Sequence, residues 1–533
     1  MSSPFLDEDK ETTMSPVLLG ASAFLALAYV VRALLARPQR LDLPVVGKPD
    51  DANFEAALLE GTAKYPNTPY IIPSIPKLVV LPISTHDELR NLPENKASFV
   101  QDISHIFFGK QTGLGENTPP LIKAIKTDLN RHVASTVEAL QDETRYALDE
   151  FGSCENWTKV TVAERMARLV ALLSGRVFVG KPLSRNEEWI KTTLEYTVDA
   201  VKARDEVLRY PELIQNLAAP FLPQIRTVKQ NKAKAAQLLR PIIEECMRKF
   251  KEGKMGDKES TDEFDDNQGT FISWLLKWTD EKNREDPFML ADSQMTLSFA
   301  AIHTTSMAIS HVLFDLASHP EFIEPLREEI EQVIAEDGTE VDGSGLRNLK
   351  QQSFTKLKKL DSFLKESQRL NPPTLVANFR LTTSTLHLST GHVIPKGTRI
   401  CYDALTFNMS NPDLSTIPHD PSDVTSLDPP TTFSPFRWSS LRATPGNESK
   451  FQFVTTSKQS MNFGHGNHAC PGRFFAGFEI KIVIVELLMN WDFRLVGDEE
   501  GKGGSGKRPK NFLYDVSVVP DPTGQLEFRR RKF

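Results

Sequence analysis

The segment from Asn462 to Phe475 reads NFGHGNHACPGRFF and sets a cysteine, two histidines and three glycines close together. Cys470 is one of four cysteines in 533 residues, and the other three (Cys154, Cys246, Cys401) form no C-x-x-C pair. Four scattered cysteines favour a reducing compartment over a disulfide framework. Cys470 is therefore a candidate for chemistry and not for a structural bridge.

Three common roles for a cysteine compete at this position, and each leaves something unexplained. A structural zinc site needs four nitrogen or sulfur ligands, and no second cluster completes the set begun by His465, His468 and Cys470. A nucleophilic cysteine needs a histidine base and an orienting partner; the sequence does not exclude this. A buried inert thiol is common. The last two roles give no reason for the glycines at 464, 466 and 472.

A fourth role accounts for the neighbours as well. The apolar segment Arg473–Trp491 predicts a long helix, so Cys470 should lie at or just before its N-terminus, with Pro471 in the first turn. The amides of a helix N-terminus lower a thiol pKa and stabilise the thiolate. Glycines let the preceding backbone turn tightly and approach a flat partner. A lone thiolate on such a loop suits an axial ligand of haem iron.

Two upstream segments could support chemistry at a flat partner. Met295–Leu316 is apolar nearly all round, which predicts a buried helix. Ala301, Thr304 and Ala308 follow one another at i, i+3 and i+7, which gives one small face with a hydroxyl in its middle. Close packing of two helices would use the same small residues, and that alternative stays open on the sequence alone.

A carboxylate and two arginines predict a buried ionic cluster. In Leu357–Leu370, Glu366 borders the apolar stripe of a predicted helix and has Arg369 at i+3. Arg437 lies among aromatic residues in Phe433–Ser440, a segment without helical or strand period. A buried arginine needs a carboxylate, and Glu366 is the candidate. An ordinary exposed ion pair on the helix is the simpler alternative.

The sequence predicts one large helical domain that follows a membrane anchor. Residues 14–36 form an apolar run of transmembrane length, with acidic residues before it and Arg32, Arg37 and Arg40 around and after it. The positive-inside rule places the bulk of the protein in the cytosol. We therefore expect a luminal segment 1–13, an anchor 14–36, a linker 37–50 and a catalytic domain 51–533. A net charge of −7 gives no indication of nucleic-acid binding.

With these segments in place, the chain resembles the cytochromes P450. Phe463–Gly472 resembles the haem-binding loop of that family, and Ala300–Thr305 resembles the oxygen-binding groove of its long central helix. Glu366-Ser-Gln-Arg369 resembles the E-x-x-R motif, and Pro435-Phe-Arg437 resembles the P-x-R segment. The resemblance implies the mainly α cytochrome P450 fold with small β-sheets, haem b with an axial thiolate, and oxygen insertion into a C–H bond.

The resemblance also implies roles for single residues. Cys470 would ligate the iron, Gly464, Gly466 and Gly472 would shape the loop, and Phe463 would pack on the thiolate side of the haem. His468, Arg380 and either Lys126 or Arg131 would bind the haem propionates. Thr304 would hold a water for proton delivery. His303 stands where the family has an acid, and it either relays protons or points away without a role. Glu366, Arg369 and Arg437 would form the structural cluster.

Substrate and partners follow from the same resemblance. SFAAIHTTS (298–306) and ARLVALLSGRVFVG (167–180) are similar to fungal P450s of secondary metabolism, notably ent-kaurene-oxidase-like and indole-diterpene enzymes. This implies a hydrophobic terpenoid or polycyclic substrate, an endoplasmic-reticulum location with membrane lipid around the anchor, and NADPH–cytochrome P450 reductase as the electron donor. No G-x-G-x-x-G fingerprint indicates a nicotinamide or flavin site in this chain. A reductase-independent isomerase or dehydratase and a non-catalytic haem sensor are the alternatives.

Overall fold

The structure, a computed structural model, describes residues 41–116, 118–252, 270–341, 347–410, 428–498 and 506–532. The predicted luminal segment and membrane anchor, 1–36, lie outside these residues and stay predictions. Across the described ranges one helix, Pro287–Ser318, is long and apolar enough to span a membrane. Most of that helix is buried inside the protein, as expected for the core helix of a globular domain.

Helices make up most of the described chain. Those of seven or more residues are α1 (Glu55–Lys64), α2 (Phe99–Ile106), α3 (Thr118–Ala124), α4 (Val137–Asp149), α5 (Val162–Phe178), α6 (Glu187–Leu208), α7 (Glu212–Ala218), α8 (Pro223–Lys251), α9 (Thr270–Trp278), α10 (Pro287–Ser318), α11 (Ile323–Asp337), α12 (Lys358–Leu370), α13 (Arg437–Ala443) and α14 (Arg473–Asn490).

The strands are short. They are β1 (Tyr70–Ile72), β2 (Leu78–Leu81), β3 (Ala97–Ser98), β4 (Thr158–Thr161), β5 (Thr339–Val341), β6 (Arg347–Leu349), β7 (Val376–Thr382), β8 (Leu386–His387), β9 (Val393–Ile394), β10 (Arg399–Asp403), β11 (Trp491–Leu495), β12 (Phe512–Tyr514), β13 (Ser517–Val519) and β14 (Gln525–Arg530). The predicted mainly α fold with small sheets is thereby confirmed.

The long helix α10 is the axis of the helical core. It begins at an Asp286-Pro287 signal, where the Asp286 carboxylate accepts hydrogen bonds from the amides of Phe288 and Met289. It ends at His319, directly before Pro320. Because α10 is apolar on every side, it is surrounded by other elements, with α5, α6, α8, α12 and α14 packed against it. This packing fixes the position of the small face around Thr304.

A five-stranded sheet in the order β1-β2-β10-β7-β3 flanks the helical core. Its strands are buried on both faces: Ile72, Val80 and Cys401 belong to one apolar cluster, and Ile71 and Val79 to another. The pairing is antiparallel between β7 and β10, with Arg380 opposite Ile400. The sheet therefore presents β7 as a rigid support at the edge of the helical core.

The sequence misjudged one segment near the ionic cluster. We expected no regular structure in Phe433–Ser440, but α13 begins at Arg437 within it. Only the first turn of this helix falls in the segment that we analysed, which is too short to display a 3.6-residue period. The predicted helices Met295–Leu316 and Leu357–Leu370 correspond to parts of α10 and to α12.

A buried ion pair ties α2 to the sheet. Arg399 on β10 donates to both carboxylate oxygens of Asp102 at 2.7 and 3.2 Å, and the two side chains are only 7% and 1% exposed. We expect Asp102→Ala to lower the free energy of unfolding by about 3–5 kcal/mol, because it leaves a buried guanidinium without its partner. Urea unfolding followed by circular dichroism measures this change.

Glu245→Ala provides a control that removes the same charge. Glu245 pairs with Arg248 on an exposed helical surface, so this variant should unfold at the wild-type urea concentration. Equal shifts in the two variants would show that the Asp102–Arg399 pair contributes no more than a surface pair does.

Candidate active site

A cavity of about 1040 Å³ separates α10 from the loop that carries Cys470. Its wall is mostly apolar and is built from α10, the Phe463–Gly472 loop, the start of α14, strand β7 and the region around α2 and α3. Cys470 and Thr304 both line it. The two predicted chemical groups, which are 166 positions apart in the chain, therefore line one cavity.

The loop before Cys470 is a tight turn pinned to its surroundings. Gly464 and Gly466 have φ values of +67° and +86°, a backbone region that side chains disfavour. A Cβ at Gly466 would overlap the carbonyl oxygen of Arg90. The amide of Cys470 donates to the carbonyl of Phe463 at 2.7 Å and closes the turn. The glycines at 464 and 466 are therefore required by backbone geometry and by contact.

Three successive carbonyls of the chain segment 90–92 receive this loop. The amide of Asn467 donates to Arg90 O at 3.2 Å, its side chain to Asn91 O at 3.0 Å, and the His468 ring to Leu92 O at 3.0 Å. On the other side Asn378 of β7, in a left-handed conformation at φ +56°, accepts the amide of His465 at 2.8 Å. The loop is therefore held by backbone carbonyls on one flank and by a side-chain amide on the other.

The sulfur of Cys470 lies just before α14, which begins at Arg473 with Gly472 as its N-cap. The backbone N–H groups of Gly472 and Arg473 point to the sulfur and favour the thiolate, but burial outweighs them and raises the pKa of the thiol. The expectation of a lowered thiol pKa was therefore wrong for the polypeptide alone. A bound cation would supply the missing compensation, since a coordinating thiol is deprotonated by its metal.

The cavity wall beside Cys470 fits a flat, anionic group. Nothing lies within 4 Å of where a Cβ would project from Gly472. Arg380, 5% exposed, lines the cavity and donates to the carbonyl of Phe379. Burial lowers the pKa of Arg380 to about 10, with the carboxylate of Glu94 acting in the opposite direction. A guanidinium that burial penalises in this way is stabilised by an anion at its side of the cavity.

Two other predicted propionate ligands differ in placement. His468 lines the cavity, and its Nδ1 lies 2.9 Å from the carboxylate of Glu94. Arg131 is exposed and does not line the cavity. Lys126, the alternative that we named, does line it and donates to Asn467 O at 3.3 Å. Of the two predicted alternatives, Lys126 therefore fits a propionate ligand and Arg131 does not, because Arg131 lies on the solvent side beyond the π-helical turn Ile125–Leu129.

Thr304 and its neighbour face opposite ways. The Thr304 hydroxyl donates to the carbonyl of Ala300 at 2.7 Å and borders the cavity. A ring nitrogen of His303 lies 3.3 Å from the carbonyl of Leu194 on α6, and His303 is not part of the cavity wall. Burial lowers the pKa of His303. Of the two roles left open for His303, this orientation favours the one in which the ring points away from the site and does not relay protons.

The predicted ionic cluster forms around Glu366, which has no exposed surface. Arg369 donates to both carboxylate oxygens at 2.7 and 2.9 Å, and Arg437 lies 3.4 Å from one of them. The sequence missed two further donors, the indole of Trp438 at 3.0 Å and the amide of Ser434 at 3.0 Å. The adjacency of Trp438 to Arg437 was the only available signal.

Known proteins resemble this chain over most of its length. Residues 103–514 match the family model described as cytochrome P450. The chain is 45% identical to cytochrome P450 monooxygenase ascG of Acremonium egyptiacum, over 97% of this chain and 96% of that protein. It is 42% identical to cytochrome P450 monooxygenase BOA7 of Botryotinia fuckeliana, over 94% and 91%. It is 36% identical to cytochrome P450 monooxygenase 3 of Gibberella fujikuroi, over 96% and 95%.

The Cys470 assignment has a spectroscopic test. We expect the reduced, haem-containing protein to show a strongly red-shifted Soret band with carbon monoxide, because a thiolate donates electron density to the iron. Cys470→Ser should lose this band, whereas Cys246→Ser, a cysteine on α8 away from the cavity, should keep it. A red-shifted band that persists in Cys470→Ser would mean that another residue binds the iron.

The Glu366 cluster has a stability test. Glu366→Ala leaves two buried guanidinium groups and an indole without their acceptor, so we expect a loss of at least about 3–5 kcal/mol and little bound haem. The ratio of Soret absorbance to protein concentration measures this. Glu324→Ala, which removes an exposed partner of Arg327, is the charge-matched control. Normal haem content in Glu366→Ala would contradict a structural role for the cluster.

Proposed function

The chain belongs to the cytochrome P450 family, and from this premise we propose that it oxidises a hydrophobic terpenoid or related polycyclic intermediate of fungal secondary metabolism. The enzyme is a haem-thiolate monooxygenase, as are its relatives by name. Its reaction class therefore requires a redox partner and a small-molecule substrate. Our proposals are the substrate class, the residues that act on the substrate, the reductase and the membrane location.

The observation that carries the proposal is the mostly apolar cavity between Cys470 and Thr304. Its volume of about 1040 Å³ must hold both the haem and the substrate, whereas a single small-molecule site spans roughly 300–1,000 Å³. The part of the wall contributed by α10 includes Leu297, Phe299 and Ala301. An apolar wall of this kind favours a substrate with few polar groups, because each unpaired polar group that is buried costs free energy.

Haem supplies the oxygen-activating redox chemistry when it is bound. The residues of this chain have separate tasks around it. Cys470 would provide the sulfur that holds the iron, with the amides of Gly472 and Arg473 as hydrogen-bond donors to it. Arg380 and Lys126, both in the cavity wall, would bind the carboxylates of the macrocycle. Phe463, whose ring centroid lies 5.3 Å from that of Phe453, would cover the sulfur side.

Thr304 would hold a proton donor next to the reacting oxygen. Its hydroxyl hydrogen is directed to the carbonyl of Ala300, so the lone pairs of Oγ1 are available to a water in the cavity. That water donates one hydrogen to Oγ1 and keeps a second for oxygen chemistry. Retention of this hydroxyl in the cavity wall favours oxygen activation over the reductase-independent isomerase that the sequence left open.

We further propose NADPH–cytochrome P450 reductase as the electron donor and the endoplasmic reticulum membrane as the location. The charge asymmetry around residues 14–36 supports a single anchor with the domain 51–533 in the cytosol. A substrate dissolved in the bilayer would then be close to the apolar cavity.

Isotope labelling tests the reaction and the substrate class together. Microsomes that contain this protein and a P450 reductase should convert members of a panel of terpenoid hydrocarbons into products that carry one ¹⁸O atom from ¹⁸O₂, in an NADPH-dependent manner. Labelled products from aromatic polyketides alone would overturn the terpenoid assignment. Rearranged products formed without NADPH would overturn the monooxygenase reaction for this chain.

Thr304→Ala tests proton delivery. We expect more of the NADPH electrons to appear as hydrogen peroxide and product formation to fall on the order of a hundredfold, the lower range for loss of a proton-transfer group. Thr304→Ser, which keeps the hydroxyl, should stay close to wild type. The measurement is the ratio of product and peroxide to NADPH consumed. Wild-type coupling in Thr304→Ala would remove this hydroxyl from the mechanism.

A further inference from the structure

His311 is a polar side chain in the wall of the cavity that the sequence did not single out. It lies on α10 seven residues after Thr304, and both residues line the cavity. Seven residues correspond to about 10 Å of helix and nearly two turns, so the two side chains share one face. His311 is 3% exposed, and among the described residues neither of its ring nitrogens has a hydrogen-bond partner.

An imidazole in this position requires a partner other than the described residues of the chain. A buried polar group without a hydrogen bond costs about 1–3 kcal/mol, and His311 has two such atoms. Burial and the nearby positive charge of Arg508 lower the pKa of His311 to about 3, so the ring is neutral. A neutral ring offers one N–H donor and one acceptor nitrogen. Water in the cavity can satisfy both.

A polar network connects this end of the cavity with the surface. Asp315, one turn after His311, accepts hydrogen bonds from Ser367 Oγ at 2.6 Å and Asn371 Nδ2 at 3.1 Å, and it pairs with Arg508 Nε at 2.6 Å. Ser367 and Asn371 line the cavity, whereas the side chain of Arg508 is 25% exposed. The network therefore has one end in the cavity and the other at solvent.

The same face of α10 leaves room between His311 and Thr304. Ala308 lies between them and also lines the cavity. A distance of about 10 Å corresponds to about three waters at ordinary hydrogen-bond spacing. On the opposite side His303 faces α6, so it does not supply Thr304 with protons. The reaction consumes protons, and the polar face from Asp315 to Thr304 leads from the surface to the place where they are used.

We propose that His311, together with Asp315 and Ser367, relays protons from surface water at Arg508 to Thr304. This inference rests on the proposed function. A proton from surface water binds the Asp315 carboxylate and passes to Ser367 Oγ, which releases its own hydrogen to a cavity water. That water protonates the bare nitrogen of His311 while the opposite N–H is released toward Thr304. Each group gains and loses one proton, and the ring rotates to restore its first tautomer.

Two substitutions of His311 separate the relay from packing. His311→Phe keeps a ring of similar size but offers no nitrogen, whereas His311→Gln keeps one donor and one acceptor. Ser310→Ala is the matched control, because Ser310 is buried on the same helix, bonds to the carbonyl of Ser306 at 2.7 Å and does not line the cavity. Haem content and the carbon monoxide spectrum establish that each variant is folded around its cofactor.

The readouts are NADPH-driven oxygen uptake by the full-length holoenzyme with P450 reductase, without added substrate, in H₂O and in D₂O. We expect His311→Phe to slow uptake on the order of tenfold or more and to enlarge the solvent isotope effect. His311→Gln can bond the same waters, but its amide nitrogen cannot accept a proton as an imidazole nitrogen does, so it should stay slow, whereas Ser310→Ala should match wild type. A packing defect alone would slow uptake without changing the isotope effect, and that outcome would overturn the relay.

The outcomes also separate this inference from the proposed function. Absence of NADPH-driven oxygen uptake in the wild-type protein would overturn both. Wild-type uptake and isotope effect in His311→Phe would overturn the relay alone. If His311→Phe loses haem, Ser367→Ala removes the hydroxyl link of the same path. An unchanged rate and isotope effect in Ser367→Ala would equally overturn the relay.

Discussion

The carboxylate of Glu366 is the charge on which the arrangement around the cysteine loop depends. It has no contact with solvent, and four donors from three segments of the chain converge on it: Arg369 on α12, Arg437 and Trp438 on α13, and the amide of Ser434 before α13. A buried ion of this kind is tolerated only when its partners are in place. The cluster therefore specifies one mutual position of α12 and α13.

The cavity differs from the ionic cluster around Glu366, because most of the surface of its wall is apolar. Several of its polar side chains are already bonded to the chain itself, as Thr304 is to Ala300 and Ser367 is to Asp315. A wall of this kind does not compete with a substrate for hydrogen bonds and gives little orientation through them. Shape and the position of the bound cofactor must then decide which carbon is presented. His311, with two nitrogens that lack partners, departs from this pattern.

The sequence predicted the chemistry of the site better than its surroundings. Cys470, the glycine turn and the Glu366–Arg369 pair could be predicted because each depends on residue type and short spacing, and Arg437 was added because a buried arginine needs a carboxylate. Lys126 and Arg131 stayed alternatives because a periodic pattern does not show the π-helical turn between them. Asn378 was missed because a left-handed residue inside a strand breaks the propensity rule on which strand prediction relies. The raised thiol pKa of Cys470 depends on burial, which local sequence does not report.

The contacts between the cysteine loop and the carbonyls of residues 90–92 have a consequence for protein engineering. These carbonyls accept hydrogen bonds from Asn467 and His468, and they belong to a segment nearly four hundred positions earlier in the chain. If the loop is transplanted into another scaffold without that short segment, it loses the hydrogen-bond acceptors that fix its conformation. The transferable unit is thus a pair of distant segments.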